Sequence, residues 1–168
     1  MTGARYQLAQ VNIGRLAAPL DSPQLAGFVN QLDPVNAVAD AAPGFVWRLQ
    51  TEDGNATAFR VFDDEWLMVN MSVWDSVEAL LDYVYGAEHR AVLRGRREWF
   101  VRLTEAVTAL WWVPAGHRPS VAEAEQRLVL LRRHGPTPEA FTLRETFPAP
   151  GSARTGLEVR QLAGCDAE

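Results

Sequence analysis

The sequence predicts an α+β domain: a ferredoxin-like split βαβ antiparallel sheet with helices packed on one face. Three observations carry this. Short alternating strands and amphipathic helices follow one another as β-α-β-β-α-β with an added α-β unit. The helical segments carry apolar stripes at 3.6-residue spacing and are bounded by capping residues, proline and glycine. The strand Trp66–Trp74 has two unlike faces: Leu67, Val69, Met71 and Val73 on one, and Trp66, Met68, Asn70, Ser72 and Trp74 on the other.

Each element has its own signal. Tyr6–Ile13 alternates Leu8, Gln10 and Asn12 against Ala9, Val11 and Ile13. Asp21-Ser22-Pro23 starts a helix with a capping side chain and proline in the first turn, and Leu25, Phe28, Val29 and Leu32 form its stripe. Pro34 is expected to kink or restart that helix, and Pro43-Gly44 to end it near Ala42. Phe45–Gln50 is the second strand. A polar hairpin connection follows over 51–65, with strand extensions through Ala58–Phe62. After the third strand, Asp75 caps a helix with Glu78 as its capping-box partner, striped by Val77, Leu80, Leu81 and Val84. Gly86 breaks it, and Glu88–Leu103 resumes as a helix. Thr108–Val113 is a fourth strand, Ser120 and Glu123 box the start of helix Val121–His134, and Phe141–Phe147 is a fifth strand. Residues 1–147 thus make one domain, and 148–168, rich in Pro, Gly and Ser, a mobile tail.

Composition bounds the function. The 168 residues can bury a core unaided, with 48% hydrophobic and 22% charged residues. A net charge of −5 argues against nucleic acid or an anionic membrane as the main partner. No apolar run approaches the ~20 residues that span a bilayer, and MTGARYQ lacks the core of a signal peptide, so the cytoplasm is the expected location. The single cysteine, Cys165, cannot form an internal disulfide. Lysine is absent and all sixteen basic residues are arginine, which removes Schiff-base chemistry, covalent pyridoxal phosphate and the P-loop lysine together.

The mixed face, which would carry Trp66, Asn70, Ser72, Trp74, Gln10 and Asn12, is too aromatic for open water. Two sheets paired face to face would shelter it around a cavity. The segments LAQVNIGRL, PGFVWRL, VNMSVWDSVEALLDYVY with the following EH, REWF, LWWVPAGHRPS and FTLRETF resemble a bacterial family of unassigned function. That family lies in the dimeric α+β barrel superfamily, beside antibiotic-biosynthesis monooxygenase-like proteins. The resemblance spans about residues 5–147 and implies a homodimer with an interior pocket in each protomer. It implies no particular reaction, because the superfamily holds oxygenases, haem enzymes, isomerases and plain binders.

Candidate site residues follow from the mixed face and the helix after it. His89 would share a helix face with Val92, Leu93, Arg96 and Phe100. It could act as a general base, as the axial ligand of a haem (some superfamily members place a histidine at this helix end), or as a structural histidine bound to a backbone carbonyl. Asn12, Asn70, Gln10 and Ser72 could orient ligand oxygens or stabilise an oxyanion, or satisfy one another in a wet interior. Among six tryptophans, Trp74, Trp66 and one of the opposed pair Trp111 and Trp112 (Trp112 in the working assignment) could wall a flat aromatic ligand, although core packing explains tryptophans equally well. In the run Arg90, Arg94, Arg96, Arg97 and Arg102, Arg96 or Arg97 could clamp an acidic group, with Arg97 taken as the binding candidate. A solvated helix face is the plainer account. No HxH, HExxH, GxSxG, GxGxxG or P-loop pattern occurs. The expectation is a homodimer whose pocket takes a small aromatic or apolar molecule, with no metal and no cofactor. It would be a cofactor-independent monooxygenase-like or isomerase/cyclase-type enzyme, the alternatives being a non-catalytic carrier or sensor and a haem protein with His89 as ligand.

Overall fold

The computed structural model describes residues 5–152. In chain order the elements are β1 (Tyr6–Leu16), a 3-10 turn (Pro23–Leu25) running into α1 (Ala26–Ala41), β2 (Phe45–Arg48), β3 (Leu67–Trp74), α2 (Val77–Val84), α3 (Ala87–Leu93), α4 (Arg96–Trp99), β4 (Phe100–Val101), β5 (Thr108–Pro114) and α5 (Val121–His134). The strands form a curled antiparallel sheet, half of a barrel, in the order β2-β3-β1. Along its other edge β1 pairs β4 at Arg15 and Leu16 and β5 from Tyr6 to Asn12.

Register assigns every side chain to a face. Leu8 lies opposite Trp74, Gln10 opposite Ser72, Asn12 opposite Asn70 and Gly14 opposite Met68. On β5, Trp112, Leu110 and Thr108 join the same side. The other side is aliphatic but for one indole: Ala9, Val11 and Ile13 with Val69, Met71, Val73, Ala109, Trp111 and Val113, all buried.

The covering of the two faces differs from the sequence expectation. The mixed face, expected to meet a second sheet, is covered within the protomer by the chain's own helices α1 to α4. Leu80 of α2 packs with Leu8 and Trp74, while Leu25 and Trp99 pack with Leu16 and Met68. The aliphatic face takes α5 through Ala124, Leu128 and Leu131. The physical reason is shape and polarity. The mixed face is apolar at its two ends, so helices dock there, and the flat Ala9, Val11 and Ala109 surface accepts a stripe of small and branched side chains.

Several local expectations are also corrected. Ser76, not Asp75, caps α2, its side-chain oxygen accepting from the Ala79 amide at 3.1 Å. At the start of α1, Ser22 makes no side-chain capping bond. Pro34 leaves α1 unbroken, since Pro34 and Asn30 both lie on the exposed side, where water can take the carbonyl that proline leaves unpaired. Ala58–Phe62 form no extension of the sheet: Phe62 and Asp63 both have positive φ, and turns replace the strand. The helix expected over Glu88–Leu103 ends at Leu93, and Phe100 and Val101 pair with β1 instead. Gly95 marks the break, for a Cβ there would come within 2.4 Å of the Trp99 ring. Phe141–Phe147 is irregular apart from one bridge between Phe141 and Leu110, because its carbonyls and amides serve turns and Trp112. The capping box of α5 holds by half: Ser120 accepts from the Glu123 amide, while the Glu123 carboxylate takes bonds from Trp111 and His117. Of the expected tail, residues 153–168 lie outside the described residues.

The α5 layer predicts a sharp contrast between adjacent positions. Leu128→Ala empties a fully buried site against the aliphatic face and is expected to cost about 2–5 kcal/mol in denaturant unfolding. Val129→Ala, at a position 37% exposed, is expected to stay within roughly 0.5–1 kcal/mol of wild type. Equal losses would mean that α5 does not hold the sheet.

Candidate functional site

Helices that rest on the ends of the mixed face leave its middle uncovered, and a cavity of about 400 Å³ remains between sheet and helices. This lies within the range of small-molecule sites. Its floor is Gln10, Asn12, Asn70, Ser72 and Thr108, all on the mixed face. One end is apolar, with Phe28, Met68, Trp99 and Phe100; the Phe100 ring lies against Gly14, where a Cβ would be 2.8 Å from it. The other end is aromatic. Phe45 meets Trp74 edge-on at 5.5 Å, Trp74 stacks on Tyr83 at 5.0 Å, and Tyr83 contacts His89 at 5.2 Å. From Met68 to Trp74 the floor is about 20 Å long, at roughly 3.3 Å per residue.

The floor is partly satisfied internally. Trp74 Nε1–H donates to Ser72 Oγ at 2.8 Å, and Ser72 donates to Gln10 Oε1 at 3.0 Å. The Gln10 amide N–H₂ is left for a ligand. Asn12 Nδ2 donates to Thr108 Oγ1 at 2.6 Å, which leaves Asn12 Oδ1 as an acceptor. Asn70 lines the cavity yet is exposed, so it stands at the mouth. Across from the floor, Gln31 Oε1 is buried without a hydrogen-bond partner in the protein. Such orphans are uncommon in folded proteins.

Electrostatics set the state of the lining groups. Burial holds the His89 imidazole below its ordinary value; a hydrogen bond to the Val84 backbone opposes this and the Arg96 guanidinium adds to it. His89 is therefore neutral near pH 7, the form able to accept a proton. Burial also raises the Tyr83 phenol, with the Asp40 carboxylate adding and Arg48 opposing, so Tyr83 stays protonated. Arg48, its side chain only 12% exposed, is fully engaged by Asp40 at 2.7 and 3.2 Å and by the Gly54 carbonyl at 2.7 Å. A second cleft of about 390 Å³ between α1, α2 and the start of α3 shares Tyr83 and His89, so these two rings stand between it and the cavity.

The cavity thus gathers His89, Asn12, Asn70, Trp74, Ser72 and Gln10 from three elements, β1, β3 and α3. It does not include Trp66, Trp112 or Arg97. The Trp66 indole is 44% exposed at the start of β3. Trp112 is on the mixed face, but its Nε1 donates to the Phe147 carbonyl at 2.8 Å and the 141–147 segment covers it. Arg97 is not among the lining residues, whereas its neighbour Arg96, which opens α4 after Gly95, is. Trp111 faces α5, where its Nε1 meets Glu123 at 2.9 Å. Tyr83 and Gln31 were missed by sequence reasoning, although a signal existed for both. Gln31 lies three residues after Phe28 and Tyr83 three after Leu80, so each falls on the apolar stripe of its helix.

His89 is the one imidazole in the lining and could hold a haem iron in its neutral form. Among the described residues no group of three or more His, Cys, Asp or Glu could hold a metal ion, and no helix is long and apolar enough to cross a membrane.

No curated protein matches the chain significantly. Among solved structures it is similar to SnoaB, a cofactor-independent oxygenase from Streptomyces nogalater, at 16% identity and TM-score 0.45, over 67% of this chain and 95% of that one. It is similar to Rv0793 from Mycobacterium tuberculosis at 14% identity and TM-score 0.43, over 68% and 99% of the two chains. For PA3566 from Pseudomonas aeruginosa the values are 13%, 0.44, 70% and 99%. A family model described as a domain of unknown function, DUF3291, matches residues 7–157, and the chain belongs to that family.

Proposed function

We propose that this protein binds a small aromatic or apolar metabolite in the cavity and takes a proton from it, with His89 as general base. The supporting observation is a half-buried neutral imidazole, hydrogen-bonded to the Val84 backbone, beside an aromatic wall and a hydrogen-bonding floor. Phe45, Trp74 and Tyr83 would hold a flat ring by stacking and edge contacts. Gln10, Asn12 and Asn70 would orient its oxygens, and the Gln10 amide would stabilise negative charge that develops on one of them.

Proton removal is the first step shared by the reaction classes considered. Return of the proton at another carbon is isomerisation, and attack of the carbanion on an internal carbonyl is cyclisation. Alternatively an electron-rich anion reduces O₂, which supplies the oxidant for a cofactor-independent oxygenation. The cavity supports the shared step and leaves the subsequent fate to the substrate.

We also propose a homodimer, supported by the edge position of β2 and its exposed Val46, features that invite strand pairing with a second copy. Native mass spectrometry is expected to give twice the 18.7 kDa chain mass, and a monomer at all accessible concentrations would remove this proposal.

Two measurements test the site. His89 is expected to titrate below 6.5 in a ¹⁵N imidazole experiment, since burial and Arg96 both disfavour the cation. Substrate turnover governed by it would stay level at neutral pH and fall as pH drops through that lowered value. A midpoint at or above 6.5 would contradict the buried base. With a substrate found by screening aromatic metabolites, His89→Ala is expected to lower kcat by about 10²–10⁴-fold with binding nearly kept. Unchanged turnover would leave a carrier as the reading.

A further inference from the structure

We propose that the ligand carries a single negative charge, as a carboxylate on an aromatic or apolar body, and that Arg96 receives that charge. The inference rests on the reading of the cavity as a small-molecule site and adds the chemical class of what enters it.

The titratable residues lining the cavity are Arg48, Tyr83, His89 and Arg96; no Asp or Glu is among them. Arg48 is neutralised, its guanidinium being held by both Asp40 oxygens and by the Gly54 carbonyl. Tyr83 and His89 are neutral near pH 7. Arg96 remains, and it forms no ion pair with a described acid, whereas Arg5, Arg15, Arg48 and Arg132 each do. The cavity therefore holds one uncompensated positive charge at its helical wall. That charge is felt inside, for it is among the causes that lower the His89 pKa.

Two features favour a carboxylate over a phosphate. One guanidinium matches one negative charge, whereas a phosphate monoester brings about −1.5 to −2, which Arg96 alone does not balance. Leu93 and Trp99, within three residues of Arg96 in sequence, line the cavity with it and give apolar surfaces that suit a hydrocarbon body. Arg96 opens the four-residue α4 after Gly95, and the tight contact of Gly95 with Trp99 fixes where that turn lies.

Calorimetry with a matched pair of probes, 2-naphthoate and its neutral amide 2-naphthamide, tests this. In low salt near neutral pH the wild type is expected to bind 2-naphthoate about threefold tighter or more, as befits one exposed guanidinium–carboxylate pair at the cavity wall. The preference is expected to vanish in Arg96→Gln, to persist in Arg96→Lys, and to be unchanged in Arg97→Gln, whose side chain is off the cavity. High salt should shrink the preference in wild type, a readout that needs no variant to fold. Equal binding of the two probes by wild type, or a preference that survives Arg96→Gln, would overturn the assignment while leaving the small-molecule site standing. Failure of both probes to bind would count against the cavity reading itself, and the charge assignment would fall with it.

Discussion

Eight paired positions join β1 to β3, and their register decides what every other element must cover. Leu8, Gln10, Asn12 and Gly14 are brought opposite Trp74, Ser72, Asn70 and Met68, so both strands present one aliphatic side and one mixed side. A slip of one residue would exchange the sides, putting Gln10 and Asn12 under α5 and Val11 in the cavity. The aliphatic side tolerates no such exchange, because buried amides facing Leu128 and Ala124 would lack partners. The polar floor is thus specified by the core on its far side as much as by the site it serves.

From that register the chemistry of the cavity follows by subtraction. Ser72 bridges Trp74 and Gln10, and Thr108 engages Asn12, so the floor is rigid and only selected donors and acceptors point inward. Arg48 is pinned to Asp40 and to the 51–57 loop, and contributes structure more than free charge. What remains available is the neutral His89, the Gln31 and Gln10 amides, Asn12 Oδ1, Asn70 at the mouth and Arg96. Helix α3 brings the imidazole over the aromatic wall, and the break at Gly95 turns Arg96 toward the same space. A straight helix from Glu88 onward would have placed Phe100 on the His89 face instead of on the sheet floor.

The sequence made the strands and their two faces legible, because a period of two is fixed by the strand itself. It also brought Gln10, Asn12, Asn70, Ser72, Trp74 and His89 together as candidates, and all six line one cavity. The covering was not legible. Alternation shows that the faces differ but not which helix lies on which, and that depends on docking at Leu8, Leu16, Met68 and Trp74. Trp112 shared the right face yet was lost to the 141–147 segment, whose irregular path has no periodicity to read. Arg97 was preferred to Arg96 without knowledge that Trp99 crowds Gly95 and ends the helix. Ser76 displaced Asp75 as a cap by one residue, the usual uncertainty of a helix start.

The void itself demands an explanation, since interiors are normally filled. Trp99, Phe28 and Phe100 close one end of the mixed face, while Leu80, Tyr83 and Trp74 close the other. Between them α1 presents Gln31 and Asn36 to the cavity beside Leu32 and Val35. An unpartnered buried polar group costs about 1–3 kcal/mol, and Gln31 Oε1 is one such atom. A leucine at position 31 would remove that cost and fill space. The polar groups on α1 and the open volume thus fit the small-molecule site proposed above, where a ligand with its own donor would pair with Gln31 Oε1.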